Sequence, residues 1–301
     1  MLLTKPEHLL FLCKTPLYQV AEGGRHVIFK PPGKFLHDVD LHGRGTPPTL
    51  YLDPKDRPKA QLEVQEALNR QVLSRLEAGD LLGTRDALQE VLEVSLAEPN
   101  PASLREVGRT AEQVTVALQE EAGTAQAMAR LSFTNYGTAL HSVNVMLLAL
   151  AFSMAAKLSL PQRQSLASAA LLHDVGKVDV DQDILDAPRR LTDDEFKEIR
   201  RHATLGYRIL LKAEFRDKAI PLAAYHHHER LDGSGYPQGL SDISPAGRVV
   251  AIIDCYEALT NDNRPYRQAM DPFAALKIVR ADTDAGKFDR RVFDRFISGL
   301  L

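Results

Sequence analysis

The sequence predicts a mainly α protein: an all-α C-terminal helical bundle and a smaller α+β N-terminal domain. Three observations carry this. β-prone runs are confined to about the first 55 residues. From Pro58 onward apolar residues recur with helical spacing. Helix start signals then punctuate the rest of the chain, among them Pro161, Thr192-Asp193-Asp194-Glu195 and Asp271-Pro272. We read residues 1–123 as the mixed N-terminal domain, with a regulatory role left open, and 124–301 as the bundle.

Leu17-Tyr18-Gln19-Val20 and His26-Val27-Ile28-Phe29-Lys30 flank Glu22-Gly23-Gly24, a hairpin signal. Thr49-Leu50-Tyr51-Leu52 is expected as a third strand. Leu62, Ala67, Leu68, Val72, Leu73 and Leu76 share one face of a helix ending near Gly79. Thr84 is expected to cap a second helix running to about Ala97, before Pro99-Asn100-Pro101. Ser103 to Glu121 reads as a third, stopped at Gly123. These helices carry no motif and read either as a regulatory module or as a platform for homodimerisation. Beyond Thr124 a long apolar segment holds His141. Pro161 opens the helix that ends at His173-Asp174, and Pro221 to His228 leads into a run of histidines. Pro245 to Thr260 is strongly apolar yet contains Asp254, and Asp289 to Ser298 closes the chain.

Composition narrows the function. The 301 residues are 44% hydrophobic and 26% charged, as in an ordinary soluble globular protein. A net charge of -3 provides no global basic field for a nucleic-acid polymer. Cys13 and Cys255 lie far apart and in no metal-type spacing, so a reducing cytoplasm is expected. The N-terminus lacks the layout of a secretory signal. The longest apolar run, Val145 to Ala156, is too short to span a bilayer.

The chemistry gathers around Leu171-Leu172-His173-Asp174-Val175-Gly176-Lys177. The apolar run from Ala169 delivers an adjacent His and Asp at the end of a buried element. Imidazole and carboxylate together suit a borderline transition metal. A carboxylate can bridge two metals, which one imidazole nitrogen cannot. A lone His-Asp pair would ordinarily be a capped helix end. A second cluster changes that: His226-His227-His228-Glu229-Arg230-Leu231-Asp232-Gly233-Ser234-Gly235-Tyr236-Pro237. Six of the ten histidines lie between His141 and His228, as a polynuclear metal site would require. Asp254 inside an apolar helix needs either a metal or a salt bridge to Arg248 or Lys177. A second His-Asp pair, His37-Asp38, sits in a Pro/Gly-rich region and is not read as a site.

These segments resemble the HD-GYP family, a branch of the HD-domain metal-dependent phosphohydrolases, from about Leu131 to Leu301. The further matches are His141-Ser142-Val143-Asn144-Val145, Asp183-Ile184-Leu185, Arg190-Leu191-Thr192, His202 with Gly206, and Arg264-Pro265-Tyr266-Arg267. The resemblance implies an HD-type all-α bundle with a two- or three-metal centre. It implies hydrolysis of cyclic di-GMP to pGpG or on to GMP by a two-metal-activated hydroxide. The implied ligands are His141, His173, Asp174, His202, His227, His228 and Asp254, with Asp174 bridging. His226 is an extra histidine, not a ligand. Lys177 would protonate the leaving 3′ oxygen. Arg264 and Arg267 would grip phosphate, or else form helix-end salt bridges. Tyr236 would stack on a guanine, or else anchor its loop. The loop Gly235, Tyr236 and Pro237 is linked in this family to contacts with GGDEF-type cyclase domains.

There are departures. Members with three metals carry a Glu where this chain has Gly137, so two divalent ions are expected. Fe and Mn come first, with Zn, Ni and Co acceptable to the same donors. Asp181 replaces a usual Pro, Glu257 a usual Asp, and the Ser241 to Arg248 connection is slightly short. Three alternatives follow: a phosphodiesterase for cyclic GMP-AMP, a module that binds metal or nucleotide and acts through protein partners, and a mononucleotide phosphohydrolase. The Asp232 to Pro237 segment argues against the last.

Overall fold

The computed structural model describes residues 6–21, 24–37, 40, 49–119, 121–130, 138–187, 189–261 and 269–300. Strands β1 (Leu17–Val20) and β2 (His26–Lys30) form an antiparallel pair with Val20 opposite His26. The expected third strand reduces to a single bridge, Tyr18 to Tyr51, closed by two backbone hydrogen bonds of 2.8 and 2.9 Å. Residues 41–48, which precede this segment, lie outside the described residues.

Helices follow: α1 (Arg57–Glu77), α2 (Leu81–Ala97), α3 (Pro101–Ala117) and α4 (Ala122–Arg130). Then come α5 (Thr138–Ala155), α6 (Leu160–Leu172), the short α7 (Gln182–Leu185) and α8 (Asp193–Lys212). The series ends with α9 (Ala219–His226), α10 (Pro245–Thr260), α11 (Pro272–Asp284) and α12 (Arg290–Leu300). The mainly α fold is therefore as the periodicity predicts.

Local signals set most boundaries. Thr192 accepts from the Glu195 amide, and the Glu195 carboxylate accepts from the Thr192 amide at 2.8 Å, so α8 starts on a true capping box. Asp271 caps α11 and Pro161 sits in the first turn of α6, as the sequence signals indicate. Two expectations are corrected. The cap of α2 is Asp80, whose carboxylate accepts from the Gly83 amide; Thr84 instead turns its hydroxyl back to the Asp80 carbonyl at 2.7 Å. α3 is capped by Asn100 and ends at Ala117, and Gly123 lies inside α4 rather than stopping α3.

α1 also buries more than its apolar face. Glu63 is buried and accepts from the Cys13 and Lys14 amides and the Thr15 hydroxyl at 2.6–2.8 Å. This ties the N-terminal turn to the helices, because a buried carboxylate must be hydrogen-bonded.

One apolar core runs through the molecule, from Leu12 to Phe296. α3 packs on α6, and α2 on α5. α5, α6, α9 and α10 pack on one another around the segment that ends at His173. α5 is long and apolar enough to cross a membrane, the one such helix among the described residues, and 83% of it is buried inside the fold.

Candidate metal centre

Five elements converge at one end of this bundle. α5 brings His141, the end of α6 brings His173 and Asp174, α8 brings His202, the end of α9 brings His227 and His228, and α10 brings Asp254. All but His228 are buried below one tenth exposure, and His228 is largely covered. The turn after Asp174, a 3₁₀ helix over Val175–Asp179, lies flat against α8. Glycine makes this approach possible: a Cβ on Gly176 would stand 2.0 Å from the His202 carbonyl oxygen and 2.4 Å from the Gly206 amide. The pairing of His202 with a following Gly206 thus brings that histidine to Asp174.

Among the described residues two groups of side chains can hold a metal ion: His141, His173 and Asp174, and His202, His227 and His228. Asp174 faces both. Its Oδ2 lies 3.5 Å from His141 Nε2 and 3.4 Å from His173 Nε2, while Oδ1 lies 3.3 Å from His202 Nε2 and 3.7 Å from His227 Nε2. Asp254 does the same from the other side, Oδ1 at 3.1 Å from His141 Nε2 and Oδ2 at 4.0 Å from His228 Nδ1. The rival pairings fail, because Arg248 pairs with Asp289 and Lys177 with Asp174.

Hydrogen bonds behind the rings fix which nitrogens point inward as bare acceptors. His173 Nδ1 donates to the Ala170 carbonyl at 2.7 Å, His202 Nδ1 to Ile199 at 2.6 Å, and His227 Nδ1 to Ala224 at 2.9 Å. With the proton on Nδ1, each Nε2 carries a lone pair. The Nε2 atoms of His202 and His227 then face each other at 3.1 Å, acceptor to acceptor. His173 Nε2 is buried without a hydrogen-bond partner among the described residues. Buried polar atoms are almost always satisfied, so converging bare acceptors are what a cation needs. The donor set, imidazole with carboxylate, fits a divalent transition metal.

The electrostatics agree. Burial pushes His227 down to about 3 and lowers His202 and His228, so all three are neutral and able to ligate at neutral pH. Burial would raise Asp174 and Asp254, but Lys177 and His173 beside the first, and the His141 hydrogen bond with the neighbouring histidines at the second, outweigh it and hold both well below the usual carboxylate range.

Glu257 is the residue the sequence reading undervalued. It is buried one turn after Asp254 on α10, and its Oε2 takes the Nδ1 proton of His141. Its Oε1 accepts from Asn144 at 2.8 Å and Asn261 at 2.6 Å. A carboxylate behind a ligating imidazole fixes its tautomer and raises its basicity. Glu257, like Asp254, is a carboxylate in a strongly apolar helix, and that is the sequence signal that marks it.

The loop after the histidines folds back on them. Gly235 presses on the chain so closely that a Cβ would lie 2.5 Å from the Glu229 Cα and from the His228 oxygen. The buried Glu229 carboxylate accepts the Gln238 and Leu240 amides at 2.7 and 2.9 Å. Tyr236 stacks on His228 with centroids 4.5 Å apart, and the Arg200 guanidinium lies 4.9 Å from the same ring. The Tyr236–Pro237 peptide is cis. His226 points elsewhere and accepts from the Ser244 amide at 3.1 Å. Asp181 caps α7 through the Asp183 amide. Arg264, Arg267, Gly137 and Asp38 lie outside the described residues.

The HD-domain profile matches residues 112–292. Over 175 residues the chain is 39% identical to a cyclic di-GMP phosphodiesterase of Pseudomonas aeruginosa, covering 58% of this chain and 42% of that protein. Over 139 residues it is 38% identical to a 3'3'-cGAMP-specific phosphodiesterase of Vibrio cholerae, covering 46% of this chain and 32% of the other. The chain thus spans less than half the length of these relatives. Among solved structures, a protein of Bdellovibrio bacteriovorus described as HDG"Y"P shares the fold, with a TM-score of 0.63 at 16% identity over 95% of this chain and 94% of that one. The chain belongs to the HD-domain family. Within it, the segments His173–Lys177 and His227–Pro237 put it in the HD-GYP branch.

Proposed function

We propose that this chain is a metal-dependent phosphodiesterase that hydrolyses the bacterial second messenger cyclic di-GMP to pGpG, GMP or both. The observation that carries the reading is the pair of buried donor groups that share Asp174 and Asp254 beside the ammonium of Lys177.

Two divalent ions, Fe or Mn first, would be held by His141, His173, Asp174, His202, His227, His228 and Asp254. Zn, Ni and Co suit the same donors. When bound, such a pair supplies a nucleophilic water near neutral pH and offsets the charge of the phosphodiester. The chain's own residues do the rest. Glu257 holds His141 with Nε2 turned to the centre. Lys177 keeps its ammonium 2.5 Å from Asp174 Oδ2, on a side chain 21% exposed. From there it gives a proton to the departing 3′ oxygen, a role worth about a hundredfold or more. We assign Arg264 and Arg267 to the non-bridging phosphate oxygens and Tyr236 to the edge of the substrate site. The Gly235 to Pro237 loop is read as a contact for GGDEF-type domains, and the N-terminal helices as regulatory or dimer-forming. Cys13 and Cys255, far apart in sequence and in no metal-type spacing, are in keeping with a reducing cytoplasm.

A second substrate has its own support: the 38% identical relative that is named for 3'3'-cGAMP. One experiment tests both. Anaerobically purified protein is loaded with Fe(II) or Mn(II), metal per chain is counted, and products from each cyclic dinucleotide are resolved by chromatography. Linear or mononucleotide product with about two ions per chain is expected. A fully loaded chain that turns over neither substrate overturns the enzyme reading in favour of a binding module.

A further inference from the structure

We propose that Glu93, on α2, reads the Watson–Crick edge of a guanine, so that the N-terminal half of the chain sets base selectivity. The proposal rests on the phosphodiesterase reading above. A cavity of about 440 Å³ opens beside the metal centre, lined by Asp174 and Lys177 and by Glu93 and Leu96 of α2, with Val178 and Leu185 among its other apolar residues. α2 packs against both α5 and the 3₁₀ turn that carries Lys177, so this lining is part of the rigid fold. Its size suits a nucleotide-scale ligand.

The two charged groups on this lining suit different parts of a nucleotide. Lys177 suits phosphate. A carboxylate repels phosphate, so Glu93 takes a neutral group that offers donors. Guanine presents two adjacent donors, N1–H and the N2 amino group, which match the two oxygens of a carboxylate. Adenine presents an acceptor at N1 beside its N6 amino group, and that acceptor would face a carboxylate lone pair. Gln89, one turn earlier on α2, donates to Glu93 Oε1 at 2.6 Å and holds the carboxylate in orientation. A carboxylate has about four acceptor positions, so it can take two further donors. Leu96, Val178 and Leu185 supply apolar surface for the faces of the base. Glu93 also lies outside the stretch matched by the HD-domain profile, 112–292. The proposed selectivity is therefore not carried by the residues that this profile matches.

The test is a substitution with a built-in reversal. In Glu93→Gln the amide offers one acceptor and one donor, the complement of adenine. The ratio of kcat/KM for cyclic di-GMP over cyclic di-AMP is expected to fall roughly tenfold to a hundredfold, the range of one bidentate base contact. Glu93→Ala should lose the guanine preference without gaining adenine. Equal loss on both substrates, or no change in their ratio, overturns the assignment. Calorimetric binding of GMP and AMP to the same proteins separates this from the enzyme reading. If the wild-type chain hydrolyses neither substrate, a preference for GMP that Glu93→Gln abolishes still upholds the role of Glu93. Equal affinity of the wild type for GMP and AMP rejects it.

Discussion

His141 and Glu257 lie 116 residues apart, on α5 and α10, and the carboxylate of one holds the ring of the other. The bond turns His141 Nε2 toward Asp174 and Asp254. Glu257 is itself held by Asn144 and Asn261. The residue that departs from the family's usual Asp thus supports the centre from behind.

Glu257→Gln should lower metal affinity roughly ten- to a hundredfold, the usual effect of losing such a partner. Competition against a chelator reads this directly. Affinity equal to wild type would show that the bond does not orient His141.

The same bond sets a pH dependence. Burial would push His141 down, but Glu257 and Asp254 outweigh it and raise His141 to about 9 in the metal-free chain, from an ordinary 6.5. A raised pKa means that the folded state binds the proton more tightly. Its contribution to stability is complete below pH 6.5 and is lost as pH rises through 9. Metal must displace the Nε2 proton, so apparent affinity rises over the same window. Thermal unfolding of the metal-free protein and metal titration, each from pH 6.5 to 9, should therefore run in opposite directions. Parallel trends would refute the assignment of that proton to His141.

Asp174→Asn removes the charge that both histidine groups face. Metal content and turnover should fall together, with the melting temperature of the metal-free protein changed far less. A variant that keeps two ions and full rate would defeat the proposed centre.

Lys177→Ala should keep its metal and lose about a hundredfold or more in kcat. Metal analysis and steady-state rates on one preparation distinguish this from damage to the centre. Loss of metal as well would make Lys177 a structural partner of Asp174.

Gly235→Ala forces a Cβ to within 2.5 Å of three backbone atoms of Glu229, Arg230 and His228. Relieving that overlap should cost about 1–3 kcal/mol, visible as a lower midpoint in urea. Because the strain falls on the chain carrying His228, metal affinity should drop too. An unchanged midpoint would mean that the loop moves freely away from the histidines.

Much of this centre was readable before any fold was known. His173 and Asp174 are neighbours in the chain, as are His227 and His228, and an apolar run before each pair signals burial. The α8 capping box and the apolar period of α10 are likewise local, and they set the elements where they were expected. Chain neighbours and helical periodicity need no partner to be recognised. What needed a partner was hidden. Thr84 and Asp80 both suit a helix cap, and the choice fell to Asp80, whose carboxylate reaches the Gly83 amide. Whether Asp254 met Arg248, Lys177 or the histidines depended on which face of α10 turned inward. Glu257 at His141, and Glu93 on the cavity that Lys177 also lines, depend on contacts between helices far apart in sequence. Such contacts are decided by how side chains pack between elements, and no local pattern encodes that.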